Sequence, residues 1–167
     1  MTNPAASRTI SPAPVRKIFR VEAPLAIAFD VFVRMGRWSN PTHTLLGKAL
    51  ADVVIEPRAG GRWYEKAVDG SECDWGKVLA FDPPRRLLLA WQIDGAWQYN
   101  KDLLTEVEVR FRPDGDNATT VEFEHRNLER YGDVAEEVRA SLDAEDGWTG
   151  DLAKYAALAA AAAGSAR

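Results

Sequence analysis

The 167 residues carry 21 Lys and Arg against 25 Asp and Glu, a net charge of −4, with 46% apolar and 28% charged side chains. That balance describes one ordinary folded domain able to bury its own core, and it speaks against nucleic acid, because Arg16, Lys17, Arg20 and the Arg85-Arg86 pair form no clustered basic face. Cys73 is the single cysteine and His43 and His125 the two histidines, so no intrachain disulfide, metal site or cofactor is expected.

In chain order, residues 1–14 hold Pro4, Pro12 and Pro14 among small polar residues and read as a disordered lead-in to one domain over residues 15–163. The start has no signal-peptide apolar stretch, and no run approaches the roughly 20 apolar residues of a membrane span, so a cytoplasmic protein is expected. Residues 15–21 alternate with period two, placing Val15, Phe19 and Val21 on one face of a strand. Pro24 suits the first turn of a helix, and Leu25, Phe29 and Phe32 follow at helical spacing for about three turns until Gly36. Residues 37–51, with Trp38 and His43, read as irregular or as a short helix.

From residue 52 to 126 the pattern is strand and turn. Val53-Val54-Ile55 stops at Pro57, and Gly60-Gly61 opens the strand over residues 62–66. Asp69-Gly70 supplies a hairpin turn of the kind that tolerates positive φ. A strand over residues 72–81 breaks at Asp82-Pro83-Pro84, residues 86–93 form an apolar strand, and residues 105–111 and 119–125 alternate strictly. Strands this closely spaced pair as an antiparallel meander. Val134, Val138 and Leu142 mark a short helix. Trp148, Leu152, Tyr155 and Ala159 then make a one-sided stripe on a final alanine-rich helix. A curved sheet must cover its apolar face, so the expected fold is α+β: six or seven antiparallel strands wrapped on the long C-terminal helix, with an internal cavity.

Gly60-Gly61-Arg62-Trp63, Asp69-Gly70, Gly76-Lys77-Val78, Asp82-Pro83-Pro84-Arg85-Arg86-Leu87, Trp91, Glu106-Val107-Glu108-Val109, residues 120–125 and Gly147-Trp148 recur in this order in one group. Through them the chain, over roughly residues 15–160, resembles the activator of Hsp-ninety ATPase homologue-like branch of the START-like (SRPBCC) superfamily. The resemblance implies a helix-grip fold whose cavity binds a small apolar, aromatic or lipid-like molecule. Some members act as polyketide cyclases or aromatases, which is the enzymatic alternative. The eukaryotic namesake stimulates a chaperone ATPase with an additional N-terminal domain for which this length leaves no room, and that interaction role is the third alternative. A homodimer is compatible with the resemblance; no nucleic-acid or membrane-spanning partner is expected.

The candidate cavity residues are Phe32, Trp38, Trp63, Trp91, Phe123, Trp148 and Tyr155: large rigid apolar surfaces that either line a cavity or fill the core. Trp38, in the irregular segment, is the candidate lid, with an ordinary packing role as the equal alternative; Trp75 and Trp97 take no orientation from the pattern. Glu65 alternates with Trp63, and His125 with Val121 and Phe123, so both face inward and together form the candidate acid/base couple. The alternative for His125 is one structural hydrogen bond near the rim, and a buried Glu65 requires a partner in any case. Glu106, Glu108, Glu122 and Glu124 fall on the outer face, within cross-strand reach of Arg110, Arg112 and Arg126.

Overall fold

Seven strands with alternating burial frame the molecule in a computed structural model that describes residues 12–165. They are β1 (Val15–Val21), β2 (Leu50–Ile55), β3 (Arg62–Ala67), β4 (Glu72–Asp82), β5 (Arg86–Trp91), β6 (Thr105–Pro113) and β7 (Thr119–Arg126). Every neighbouring pair is antiparallel, and the sheet order is β1-β7-β6-β5-β4-β3-β2. The first strand thus lies beside the last, with Val15 opposite His125 and Val21 opposite Thr119. The long connection from β1 to β2, at opposite edges, must pass over one face of the sheet. Most of the expected lead-in lies outside the described residues; just before β1, the carbonyls of Ala13 and Pro14 accept hydrogen bonds from the Arg139 guanidinium.

Three α-helices cover the inner face: α1 (Leu25–Val33), α2 (Ala135–Asp143) and α3 (Trp148–Ser165). Pro24 is the N-cap of α1 rather than a residue of its first turn, and α1 ends at Val33, earlier than the expected Gly36. Gly36 sits instead in a tight turn over Met35–Arg37, where a Cβ would lie 1.9 Å from Asp52 Oδ1 and 2.8 Å from Val53 N; its missing side chain lets the turn press against β2. The stripe foreseen on α3 is its buried face: Trp148, Leu152, Tyr155, Ala159 and Ala163. Its alanines let α1 and α3 pack closely, and Tyr155 Oη donates to the Ala28 carbonyl at 2.6 Å. Val134, in contrast, precedes α2 and is exposed; the buried face of α2 is Ala135, Val138 and Leu142.

The outer face carries the acidic row as a charge lattice. Glu108 accepts from Arg86 at 2.6 Å and from Arg126 at 2.7 Å, Arg126 also reaches Glu106 and Glu124, and Arg112 pairs with Glu122. Burial pushes the Glu108 carboxyl up, but the hydrogen bonds from Arg126 and Arg86 outweigh it and hold the group down at about 2. Glu108 and Glu124 lie directly opposite each other on β6 and β7, and the shared Arg126 bridges these like charges.

Candidate functional site

The inner face divides into a filled half and a hollow half. In the filled half, Phe29, Phe32, Phe111 and Tyr155 pack edge to face with ring centroids 5.0–5.7 Å apart. Trp38 belongs here. Its indole N–H lies 3.2 Å from the carbonyls of Val31 and Phe32, capping the end of α1, and its ring packs on Phe32 and Tyr155. It is buried core and no lid, which corrects the sequence expectation.

The hollow half is built on a β-bulge. Trp63 pairs with Gly76 but Tyr64 pairs with Asp74, so Trp75 is an extra residue on β4 and is turned inward beside Gly76. Gly76 allows this crowding: a Cβ there would lie 1.7 Å from the Ala90 carbonyl oxygen. Trp75, Trp91 and Trp148 then form a continuous run, with centroids 6.3 Å and 5.5 Å apart. Against these walls opens a cavity of about 650 Å³, within the range of about 300–1,000 Å³ for small-molecule sites. Residues 39–45, the Ile93–Trp97 turn, the end of α2 and the first turn of α3 complete it.

Trp97 stands at the mouth, 47% exposed, on a backbone with φ 59°. That conformation is an outlier for so large a side chain and costs about 1–3 kcal/mol. The turn is held from both sides: Asp94 Oδ1 accepts from the Ala96 and Gln98 amides at 2.9 Å and 3.0 Å, and Tyr131 Oη donates to the Ile93 carbonyl at 2.6 Å.

Glu65 and His125 are both fully buried, as their alternation implies, yet the structure does not bring them together. The Glu65 carboxylate accepts from Thr44 Oγ1 at 2.5 Å, the Leu45 amide at 2.7 Å, the Leu46 amide at 3.3 Å and Trp75 Nε1 at 2.7 Å. With four donors it is spent on fixing the 44–46 segment, one wall of the cavity, to β3 and β4. His125 closes a separate network. Trp148 Nε1 can only donate, at 3.1 Å to Nδ1, so the ring proton sits on Nε2 and goes to Thr105 Oγ1 at 2.9 Å, which in turn donates to the Trp91 carbonyl at 3.0 Å. Burial pushes His125 down to about 3, and it stays neutral at neutral pH. The Glu65–His125 couple is therefore replaced by two structural networks flanking the tryptophans.

Asp151 is the titratable group of the cavity lining that shifts toward neutrality. It lies three residues after Trp148, half-buried on the first turn of α3, and shares the cavity lining with His43. Burial pushes its carboxyl up to about 6, against the pull of His43, Lys154 and the Asn40 amide. Among the described residues no group of three or more His, Cys, Asp or Glu is placed to hold a metal ion, and no helix is long and apolar enough to cross a membrane.

These two shifts have opposite consequences for stability. His125 has a folded value of about 3 against 6.5 unfolded, so the unfolded chain binds the extra proton and stability falls as pH drops from 6.5 toward 3, by about 1.4 kcal/mol per pH unit at its steepest. Asp151 has a folded value of about 6 against 3.8, so its contribution is full below 3.8 and is lost as pH rises through 6. Chemical unfolding across the acid range should show a flatter loss for His125→Gln and a steeper one for Asp151→Asn than for the parent. Identical slopes in all three would contradict the assignment.

Of the seven residues expected around the cavity, Trp91 and Trp148 line it, while Phe32, Trp38, Trp63, Phe123 and Tyr155 are packed behind it. Trp63 packs edge to face on Trp75 and Trp91, and Phe123 packs tilted on Trp148 with centroids 4.7 Å apart. The sequence reading missed Trp75, Trp97, His43 and Asp151. Asp151 alone left a usable signal, since positions three after Trp148 and four before Tyr155 border the buried stripe of α3.

A family model described as Activator of Hsp90 ATPase homolog 1-like protein matches residues 24–160. No curated protein matches the chain. Among solved structures, the chain is similar to Txn09, an anthrahydroquino-gamma-pyrone synthase complexed with SUM: 40% identity and a TM-score of 0.63, covering 89% of this chain and 97% of that one. It is also similar to CalC, a self-sacrificing resistance protein from Micromonospora echinospora, with 26% identity, a TM-score of 0.62 and coverage of 87% and 93%. The Aha1 dimer from Colwellia psychrerythraea shares the fold, at 14% identity, a TM-score of 0.54 and coverage of 85% and 92%.

Proposed function

The chain belongs to the Activator of Hsp90 ATPase homolog 1-like family, and on that premise we propose that its cavity binds a planar polycyclic aromatic molecule of the polyketide type. The observation that carries this reading is the wall of Trp75, Trp91, Trp97 and Trp148 around one cavity. Flat rigid indoles favour a flat partner, through offset or edge-to-face contacts of about 0.5–1.5 kcal/mol each beyond burial. The hollow interior supports a binding role over that of an interaction protein working through a solid sheet. The 40% identity to an anthrahydroquino-gamma-pyrone synthase supports the same ligand class.

A second reading, in which the domain closes an oxygen ring on the bound molecule, is favoured by that relative and by the half-buried carboxyl of Asp151 in the lining.

Titration with anthraflavic acid, a dihydroxyanthraquinone, followed by tryptophan fluorescence tests the binding reading. Saturable quenching is expected, and Trp97→Ala, whose side chain is already half-exposed, should weaken binding about tenfold, or about 1.4 kcal/mol, without shifting thermal unfolding downward. Absence of saturation, or equal affinity in the variant, would count against a ligand held in this cavity.

A further inference from the structure

We propose that Asp151 is the proton acceptor of the cavity, taking the O–H of a phenolic or enolic hydroxyl on the bound aromatic, with His43 in the same lining. The inference rests on the binding reading above and adds the polar half of the ligand to it. Four indoles specify only a flat apolar body. The groups at the α3 end of the same cavity specify what that body carries.

Three observations converge on Asp151. It lines the cavity three residues after Trp148 on the first turn of α3, so indole and carboxylate belong to one stretch of the cavity wall. Glu65 and His125, buried beside the tryptophans, are saturated by protein partners, and the buried Tyr131 Oη is committed to the Ile93 carbonyl. The titratable groups around Asp151 are sparse and mixed: His43 from the 39–45 segment, Lys154 one turn on along α3, and Asp146 from the link between α2 and α3. Burial holds the carboxyl at about 6, so near neutral pH it is ionised, more basic than an ordinary carboxylate and able to return a proton. Its pH behaviour is thus set by burial first, with His43 and Lys154 opposing.

The chemistry balances within one ligand. The hydroxyl O–H breaks, its proton goes to an Asp151 oxygen, and the freed oxygen pair can form a C–O bond to an electrophilic carbon of an unsaturated ketone on the same molecule. The enolate so formed takes the proton back from Asp151 at carbon. No oxidant, reductant or co-reactant enters.

The test is a cycle of two ligands and three proteins: anthraflavic acid and its dimethyl ether, against the parent, Asp151→Asn and Asp151→Ala. In the parent the free hydroxyl should improve affinity at least fivefold over the ether. In both variants that difference should shrink to less than twofold while the ether binds as before. A spectroscopic signature accompanies it: ionisation of the bound dye, read from its red-shifted absorbance, should occur at higher pH in the parent than in Asp151→Asn, because a carboxylate opposes a second negative charge beside it. Equal hydroxyl preference and equal dye ionisation in parent and variants would overturn the role of Asp151 while leaving the aromatic cavity standing. Failure of both ligands to bind any of the proteins would remove the binding reading and this inference with it.

Discussion

Trp148→Ala should destabilise the fold by about 3–5 kcal/mol, the range for truncating a buried aromatic. The side chain is 5% exposed and wedges α3 into the sheet against Trp91 and Phe123. Its loss also removes the donor to His125 Nδ1, leaving a fully buried acceptor unsatisfied at a cost of about 1–3 kcal/mol. Trp148→Phe helps separate the two contributions, since it keeps an aromatic ring in the packing and loses the N–H. Thermal or urea unfolding should rank parent, Trp148→Phe and Trp148→Ala in that order. A Trp148→Ala melting curve close to that of the parent would mean that α3 is not seated in the sheet through this residue.

Glu65→Ala should be comparably severe, about 3 kcal/mol or more, because it orphans donors rather than merely deleting a contact. Trp75 Nε1 is buried and donates to Glu65, whereas Thr44 Oγ1 and the amides of Leu45 and Leu46 regain water as their segment lifts away. The loss should therefore be local as well as global. Hydrogen exchange at the Leu45 and Leu46 amides should accelerate in Glu65→Gln even under conditions where the rest of the sheet stays protected. Reduced ligand affinity should follow, since residues 42–45 form a cavity wall. If Glu65 were a proton-transfer group instead, Glu65→Gln would abolish turnover and leave those amides protected.

The frame of the fold is legible in the sequence because strands and helices announce themselves by period. The alternation in residues 105–111 and 119–125 yields β6 and β7, and the Trp148/Leu152/Tyr155/Ala159 stripe yields the buried face of α3. The site is less legible for three distinct reasons. The bulge at Trp75 adds one residue, so strict alternation carries no orientation through it. The 39–45 segment has no period at all, yet it supplies His43, Thr44 and Leu45 to the cavity. Inward direction, finally, does not say which half of the interior a side chain reaches: Phe32 and Tyr155 point inward as expected and meet each other, 5.0 Å apart, in the filled half.

Trp38 and the Glu65–His125 couple show the same limit from the other side. An aromatic in an irregular segment suggests a lid, but the Val31 and Phe32 carbonyls at the end of α1 are near enough to accept from its indole N–H. Two inward titratable groups suggest a couple, but each finds complete satisfaction among nearer neighbours. Hydrogen-bond saturation, which only coordinates reveal, separates the structural Glu65 and His125 from Asp151, the carboxyl proposed to meet the ligand.

A crystal structure with bound anthraflavic acid tests the central claim most directly. The ring system should lie in the cavity against Trp91 and Trp148, with Trp97 across its outer edge and one hydroxyl within hydrogen-bond distance of Asp151. Ligand found instead in the shallow cleft between β1 and α3 near Phe19 and Ala156, or a tryptophan-walled cavity that stays empty at saturating ligand, would contradict it.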